Sequence, residues 1–510
     1  MSITITSATL RGVDAVTIDV EVDLGAGLPF WVMVGLAEAA VRESRVRLEA
    51  AIRNSGFIFP IARISVNLAP AHLRKDGSGF DLPMALAILG AHGTIPRERL
   101  HDVLVLGELS LSGDVRPVRG ALAAAEAARL AHKKVVLVAC ENGPEAALVR
   151  GVEVRTVKTL RDAVAYLAHG KSERAPIVHC HVPAQTERGG VADLADVRGQ
   201  HAARRALEVA AAGGHNILFV GGPGSGKTML ARRLPGILPP MTWQEALEVT
   251  RVHSVAGLNI GGGLIDVRPF RAPHHSTTPP GLVGGGAALP RPGEATLAHR
   301  GVLFLDELPE FARPTLEAMR EPLESGEVVL SRASGTLRYP ARCLLVASMN
   351  PCPCGRYGDG STRCRCQRHD VQRYQSRVSG PLLDRIDLHV DVPPVDLVAL
   401  EDEAPGESSA RVSVRVCAAR QVQEARYREG RINASALPSE IAEFARPDAC
   451  GRKLMARAVE QYGLSARGYD RVQRVARTVA DLDGAPAVTM VHVAEALQYR
   501  TPRSCESKAA

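Results

Sequence analysis

The sequence predicts a multidomain α/β chain in three parts, and three observations carry that expectation. Residues 1–168 alternate short apolar runs with alanine-rich stretches of helical period. Residues 195–395 hold a glycine-rich loop placed between an apolar run and a helix start. Residues 408–500 place Val412, Val416 and Ala419 at helical spacing and close on a helix-like Val491–Leu497.

Composition sets the outer bounds. A chain of 510 residues suggests about three domains. Hydrophobic residues make up 45% and aromatic residues only 4%, so burial rests on Ala, Val and Leu. The 62 basic and 55 acidic residues leave a charge of +7, which permits a polyanionic partner without requiring one. No apolar run has membrane-spanning length, and Met1-Ser2-Ile3-Thr4 lacks a signal pattern. A cytoplasmic protein that does not bind a membrane is therefore expected. Ten cysteines are unevenly spread, which favours a reducing compartment and a local cluster over a disulfide framework.

In the N-terminal block, Ile64–Leu68, Val103–Leu106 and Val135–Val138 read as strands and Gly120–Ala131 as a helix. Residues 169–194 lack periodicity and read as a linker. Its triplet His179-Cys180-His181 has metal-binding residue types, but a surface coincidence is the plainer reading. Residues 501–510 read as a frayed tail.

The central block carries the chemistry. Asn216–Val220 reads as a buried strand, and Gly221-Gly222-Pro223-Gly224-Ser225-Gly226-Lys227-Thr228 fits G-x-x-x-x-G-K-[ST] at every fixed position. Such glycines let backbone N–H groups turn around a polyphosphate. Lys227 would reach the β- and γ-phosphates of ATP, and Thr228 would ligate Mg²⁺. Gly301–Leu305 is a second apolar strand ending in Asp306 and Glu307. Asp306 would complete the Mg²⁺ shell, and Glu307 would orient and deprotonate water. A third strand, Cys343–Met349, ends at Asn350, which could bond the γ-phosphate or the lytic water. Glu327–Tyr339 alternates, turns at Ser334-Gly335 and reads as a hairpin bearing Arg332 and Arg338.

The ordered set of phosphate loop, D-E strand and strand-end Asn resembles an AAA+ ATPase with a parallel-sheet core. Phe270–His275, Arg291–Glu294, Leu297–Gly301 and Gly380–Asp387 resemble the Mg-chelatase-like ComM/YifB family more closely. That resemblance implies an arginine finger at Arg385, acting on a neighbouring subunit, and a second sensor at Arg467 in a helical lid, with Arg471 as the alternative. It further implies a homo-oligomeric ring, a hexamer in the family, and an ATP-driven motor on DNA in recombination and transformation. A protein-remodelling ATPase of chelatase type is the alternative. In related helicases a hairpin at the 327–339 position lines the pore, though one that merely closes a surface edge also fits.

Cys352, Cys354, Cys364 and Cys366, in a Cys-rich insertion at 350–370, have paired spacing that suits Zn²⁺. The inner spacing of one residue is tighter than usual, His369 could replace one ligand, and free thiols are the other reading. Arg356, Arg363, Arg365, Arg368, Arg373 and Arg377 make this stretch basic, with Tyr357 and Tyr374 as stacking candidates.

Leu106–Val118 and Lys75-Asp76-Gly77 resemble the Lon protease domain, an α+β fold. That likeness puts the nucleophile position at Gly79 and the lysine position at Leu122, with Ser78 an ordinary hydroxyl beside them. No proteolysis is expected, because glycine offers no nucleophile and leucine cannot activate one.

Overall fold

The computed structural model describes residues 2–36, 41, 43–75, 77–170, 192–286, 290–332, 335–358, 363–394, 406–428 and 430–500. His179-Cys180-His181, most of the expected linker, Asp76, the Ser334 turn position and the 501–510 tail lie outside the described residues.

A seven-stranded sheet organises the N-terminal block, in the order Phe30–Val34, Arg63–Ala69, Asp14–Gly25, Ser2–Arg11, Val103–Val105, Val135–Ala139, Glu153–Val157. Ser2–Arg11 and Asp14–Gly25 form a long antiparallel pair, turning at Gly12 with φ of 70°. The Val103, Val135 and Glu153 strands extend it in parallel. Strand alternation sends neighbouring residues to opposite faces. Val103 and Val105 pack with the Asp81–Ala91 helix, while Leu104 packs with Ala121–Leu130. Every residue from Asp81 to Gly90 is buried, so that helix is enclosed on all sides rather than along a stripe, and its first residue Asp81 pairs with Arg47 at 2.9 Å.

The central block is a five-stranded sheet in the order Phe270–Arg271, Val302–Leu305, Leu344–Met349, Ile217–Val220, Leu388–Asp391. Every pairing in it is parallel. Parallel strands covered on both faces read as unbroken apolar runs, which explains the sequence pattern. Ile217, Phe219, Val302 and Phe304 face the His201–Gly213 and Lys227–Ile237 helices and the C-terminal helices. Leu218, Leu303 and Leu305 face the opposite layer with Val252 and Leu316. Register aligns Val220 with Met349 and Leu305 with Ala347, so three strands end at one edge.

The hairpin forms from Glu327–Arg332 and Gly335–Pro340. Val13, from the turn after the first strand, is buried in one cluster with its Val328 and Tyr339.

C-terminal helices run over Ser409–Arg426, Pro438–Phe444, Ala449–Tyr462, Ala466–Leu482 and Met490–Gln498. Buried Asp481 accepts hydrogen bonds from Arg477 Nε at 3.0 Å, Arg426 Nη1 at 2.9 Å and Asn433 Nδ2 at 2.8 Å. His215, at the end of a core helix, meets Thr478 at 2.7 Å and links this bundle to the sheet. Among the described residues no helix is long and apolar enough to cross a membrane.

Candidate nucleotide-binding site

The phosphate loop leaves the Ile217–Val220 strand and enters the Lys227–Ile237 helix. Gly224 and Gly226 have φ of 76° and 92°, a region that side chains with a Cβ rarely adopt. A Cβ on either would meet nothing within 4 Å, so both border open space. The side chain of Lys227 folds back over this loop. Its Nζ donates to the Gly221 and Gly222 carbonyls at 2.8 Å each and to Asn350 Oδ1 at 3.3 Å. Burial lowers its pKa, and Asp306 and Glu307 only partly oppose that. An ammonium held by neutral carbonyls at a helix N-terminus favours a polyanion, so the cradle fits the phosphates of ATP.

Asp306 closes the other side. Its Oδ2 accepts from Thr228 Oγ1 at 2.9 Å, and its Oδ1 accepts from the Ser348 hydroxyl. Hydroxyl and carboxylate oxygens side by side are the hard donor set that Mg²⁺ takes. Glu307 follows with φ of 54°, an uncommon backbone for a non-glycine residue. Its side chain is 58% exposed, with His275 Nδ1 at 3.8 Å. Asn350 stands at the end of the Leu344–Met349 strand and faces Lys227.

Sequence reasoning missed Ser348 and His275. Ser348 is fully buried in an apolar strand and carried no local signal. His275 belongs to the quoted Phe270–His275 segment, which was read only as a family likeness, and its nearness to Glu307 depends on the fold.

Arg385 lies elsewhere in its own chain. Its guanidinium pairs with Glu324 and donates to the Pro381 carbonyl at 2.7 Å. Hydrogen bonding to Arg385 holds the Glu324 carboxyl below its usual range, with smaller contributions from Arg467 and Arg471. Arg467 is exposed on the first turn of the Ala466–Leu482 helix. Arg471 lies 3.6 Å from Asp387 with a side chain only 15% exposed, which leaves Arg467 the freer of the two to reach a ligand.

The cysteine quartet converges. All four sulfurs lie within 4.8 Å of one another, an arrangement able to take a metal. His369 is not part of it: its ring meets Asp370 at 3.1 Å. Tyr374 is buried, so its ring is no platform for a base, contrary to the sequence expectation. Burial also pushes its hydroxyl up to about 12.

In the N-terminal block, Gly79 lies in van der Waals range of Val118 and Leu106, were it to carry a Cβ. Leu122 is buried among Leu104, Leu106 and Ala125. Ser78 donates to Glu108, and buried Lys75 donates to the Pro70 carbonyl.

The comparisons agree with this layout. Residues 193–400 match the family described as magnesium chelatase, subunit ChlI. Residues 20–142 match subunit ChlI of Mg-chelatase, and residues 406–500 match its C-terminal part. An uncharacterized protein of Mycobacterium tuberculosis is 45% identical over 497 residues, 97% of each chain. Competence protein ComM of Haemophilus influenzae is 43% identical over 493 residues, 96% of this chain and 95% of that one. The uncharacterized protein YifB of Escherichia coli is 42% identical over 501 residues, 98% and 97% of the two chains. With matches of that extent from strand to lid, the chain belongs to the Mg-chelatase-like ComM/YifB family.

Proposed function

We propose that this protein is an ATP-hydrolysing AAA+ motor that works as a homo-oligomeric ring on DNA. One observation carries the reading. Lys227, Thr228, Asp306, Glu307 and Asn350 assemble around one cradle, while the polar contacts of Arg385 are made to Glu324 and Pro381. A guanidinium is always charged and matches phosphate oxygens with two donors, so a finger outside its own cradle suits the site of an adjacent protomer.

The roles follow from the chemistry. Gly221–Thr228 holds the phosphates through backbone N–H groups, and Lys227 neutralises the β- and γ-oxygens. Thr228 and Asp306 would hold Mg²⁺, which when bound offsets charge on the departing phosphate. Ser348 fixes the Asp306 carboxylate. Glu307 takes the proton of the attacking water, Asn350 holds the γ-phosphate side, and Arg385 of the neighbour stabilises charge that develops during cleavage. Arg467 reports the nucleotide state to the lid.

DNA is supported by the net charge of +7, the arginines on the hairpin and Cys-rich stretch, and the competence role named for the Haemophilus relative. The N-terminal block serves as a scaffold without protease chemistry, because Gly79 and Leu122 occupy the two positions that would need a nucleophile and a lysine. The family's chelatase name favours a second reading, a motor that remodels a protein partner. Steady-state ATP hydrolysis with and without forked DNA separates the two. Stimulation by DNA that fades steeply with salt is expected, and turnover indifferent to every DNA structure would overturn the DNA assignment.

A further inference from the structure

Three of the cysteine sulfurs have spacings close to those of a tetrahedral metal site, and Cys366 lies within 4.8 Å of them. Cys352 and Cys354 lie 3.4 Å apart, Cys352 and Cys364 3.9 Å, and Cys354 and Cys364 3.6 Å. A Zn–S bond of about 2.3 Å puts the corners of a ZnS₄ tetrahedron about 3.8 Å apart. A disulfide would need about 2.05 Å. Binding would displace the thiol protons and leave two excess negative charges, which Arg356, Arg363, Arg365 and Arg368 along the same loop would offset.

The Cys352–Gly355 turn is packed on the phosphate loop. Gly355 has φ of 76°, and its N–H closes the turn onto the Cys352 carbonyl at 2.9 Å. A Cβ on Gly355 would collide with Pro223 Cδ, and one on Gly222 would come 3.0 Å from the Gly355 carbonyl oxygen. Two glycines therefore let the cysteine turn and the phosphate loop meet backbone to backbone. The turn is also continuous with Asn350, which accepts from Lys227. Of the four sulfur-bearing residues only Cys352 is buried, so the other three sulfurs are held with little apolar cover.

We propose that Cys352, Cys354, Cys364 and Cys366 form a tetrathiolate zinc site whose role is to brace the phosphate loop, so that zinc occupancy sets the affinity for ATP. The inference rests on the ATPase reading and adds a regulator to it. Because coupling between two binding events is reciprocal, bound nucleotide must also raise the affinity for zinc by the same factor.

The test uses the full chain purified without added metal. Elemental analysis is expected to find one zinc per protomer. Equilibrium competition with a colorimetric zinc chelator is expected to show tighter zinc binding when a non-hydrolysable ATP analogue is present. The double variant Cys354→Ser, Cys366→Ser is expected to lose zinc and bind a fluorescent ATP analogue about tenfold more weakly, a coupling of ordinary size. Gly355→Ala offers an independent check should the serine variant unfold. It touches no thiol, so it is expected to keep its zinc while weakening nucleotide binding. Zinc-free wild-type protein, or zinc-depleted and Gly355→Ala proteins that bind nucleotide like the parent, would overturn the brace and leave the ATPase reading standing. Wild-type protein that holds zinc yet binds no adenine nucleotide would sink both.

Discussion

At the residue scale, the proposed function divides labour between groups that would bind nucleotide and groups that would act on it. Lys227 is half-buried among carbonyls and has no carboxylate in contact, so its charge is available to phosphate. Lys227→Ala should therefore abolish nucleotide binding, read directly as loss of fluorescent-analogue affinity. Glu307 touches neither Thr228 nor Lys227 by hydrogen bond and presents an exposed carboxylate to solvent. Glu307→Gln should keep binding nearly unchanged while kcat falls by about 10²–10⁴, the usual worth of a general base. Equal turnover by the Gln variant would remove Glu307 from the mechanism. The glycine-rich loop, Asp306 and Glu307 were legible in the sequence because each motif is contiguous and its spacing alone implies strand, turn and acid. Ser348 was not, since nothing local marks a buried serine as the partner of an aspartate.

At the scale of elements, the C-terminal helices are held by charge inside their core as well as by apolar packing. Asp481 is fully enclosed and serves Arg477, Arg426 and Asn433 together. Asp481→Ala would leave two guanidinium groups with no counter-charge, at a cost of about 3–5 kcal/mol. A loss of unfolding free energy of that size in urea denaturation checks it, and a change under about 1 kcal/mol would mean that water replaces the carboxylate. The helices themselves were readable from Val412, Val416 and Ala419, which are buried on one face of Ser409–Arg426. The network was not readable, because Arg426, Asn433 and Asp481 lie on separate segments and look like solvated polar residues. The hairpin was equally plain as an alternating run, but its seat beside Val13 depends on the N-terminal sheet.

At the scale of the whole molecule, the N-terminal sheet is docked on the central block. Gly120 N–H donates to the Ser254 carbonyl at 3.1 Å, and Arg251 pairs with Asp14 and Glu126 at 3.1 and 3.0 Å. Within the N-terminal block, burial pushes Glu145 up to about 7 from an ordinary 4.5, outweighing hydrogen bonds from Ser254, from Asn142 at 2.9 Å and from the Ala121 backbone. Between those two values the folded chain keeps a proton that the unfolded chain gives up. Stability should therefore fall as pH rises through the window and level off above it. Glu145→Gln should flatten that slope in thermal melts taken from about pH 5 to about pH 8, and an unchanged slope would assign it to another group. Ring assembly makes a second prediction at this scale. Arg385→Ala should bind ATP yet lose about 10³-fold or more in kcat. Mixing it with Lys227→Ala chains should restore turnover, because one chain brings the cradle and the other the finger. Mixtures as inactive as their parts would place the finger in its own protomer.

Sequence by itself determined the chemistry that is written in short contiguous runs. It specified the phosphate cradle, the acidic strand end, the helical character of the last hundred or so residues and the family to which the motifs point. Tertiary structure decided which distant groups meet: Thr228 with Asp306, Lys227 with Asn350, Ser348 with Asp306, and the Cys352–Gly355 turn with Pro223. The reason is geometric. A parallel sheet joins strands that are far apart along the chain, and only their register decides which residues end at the same edge.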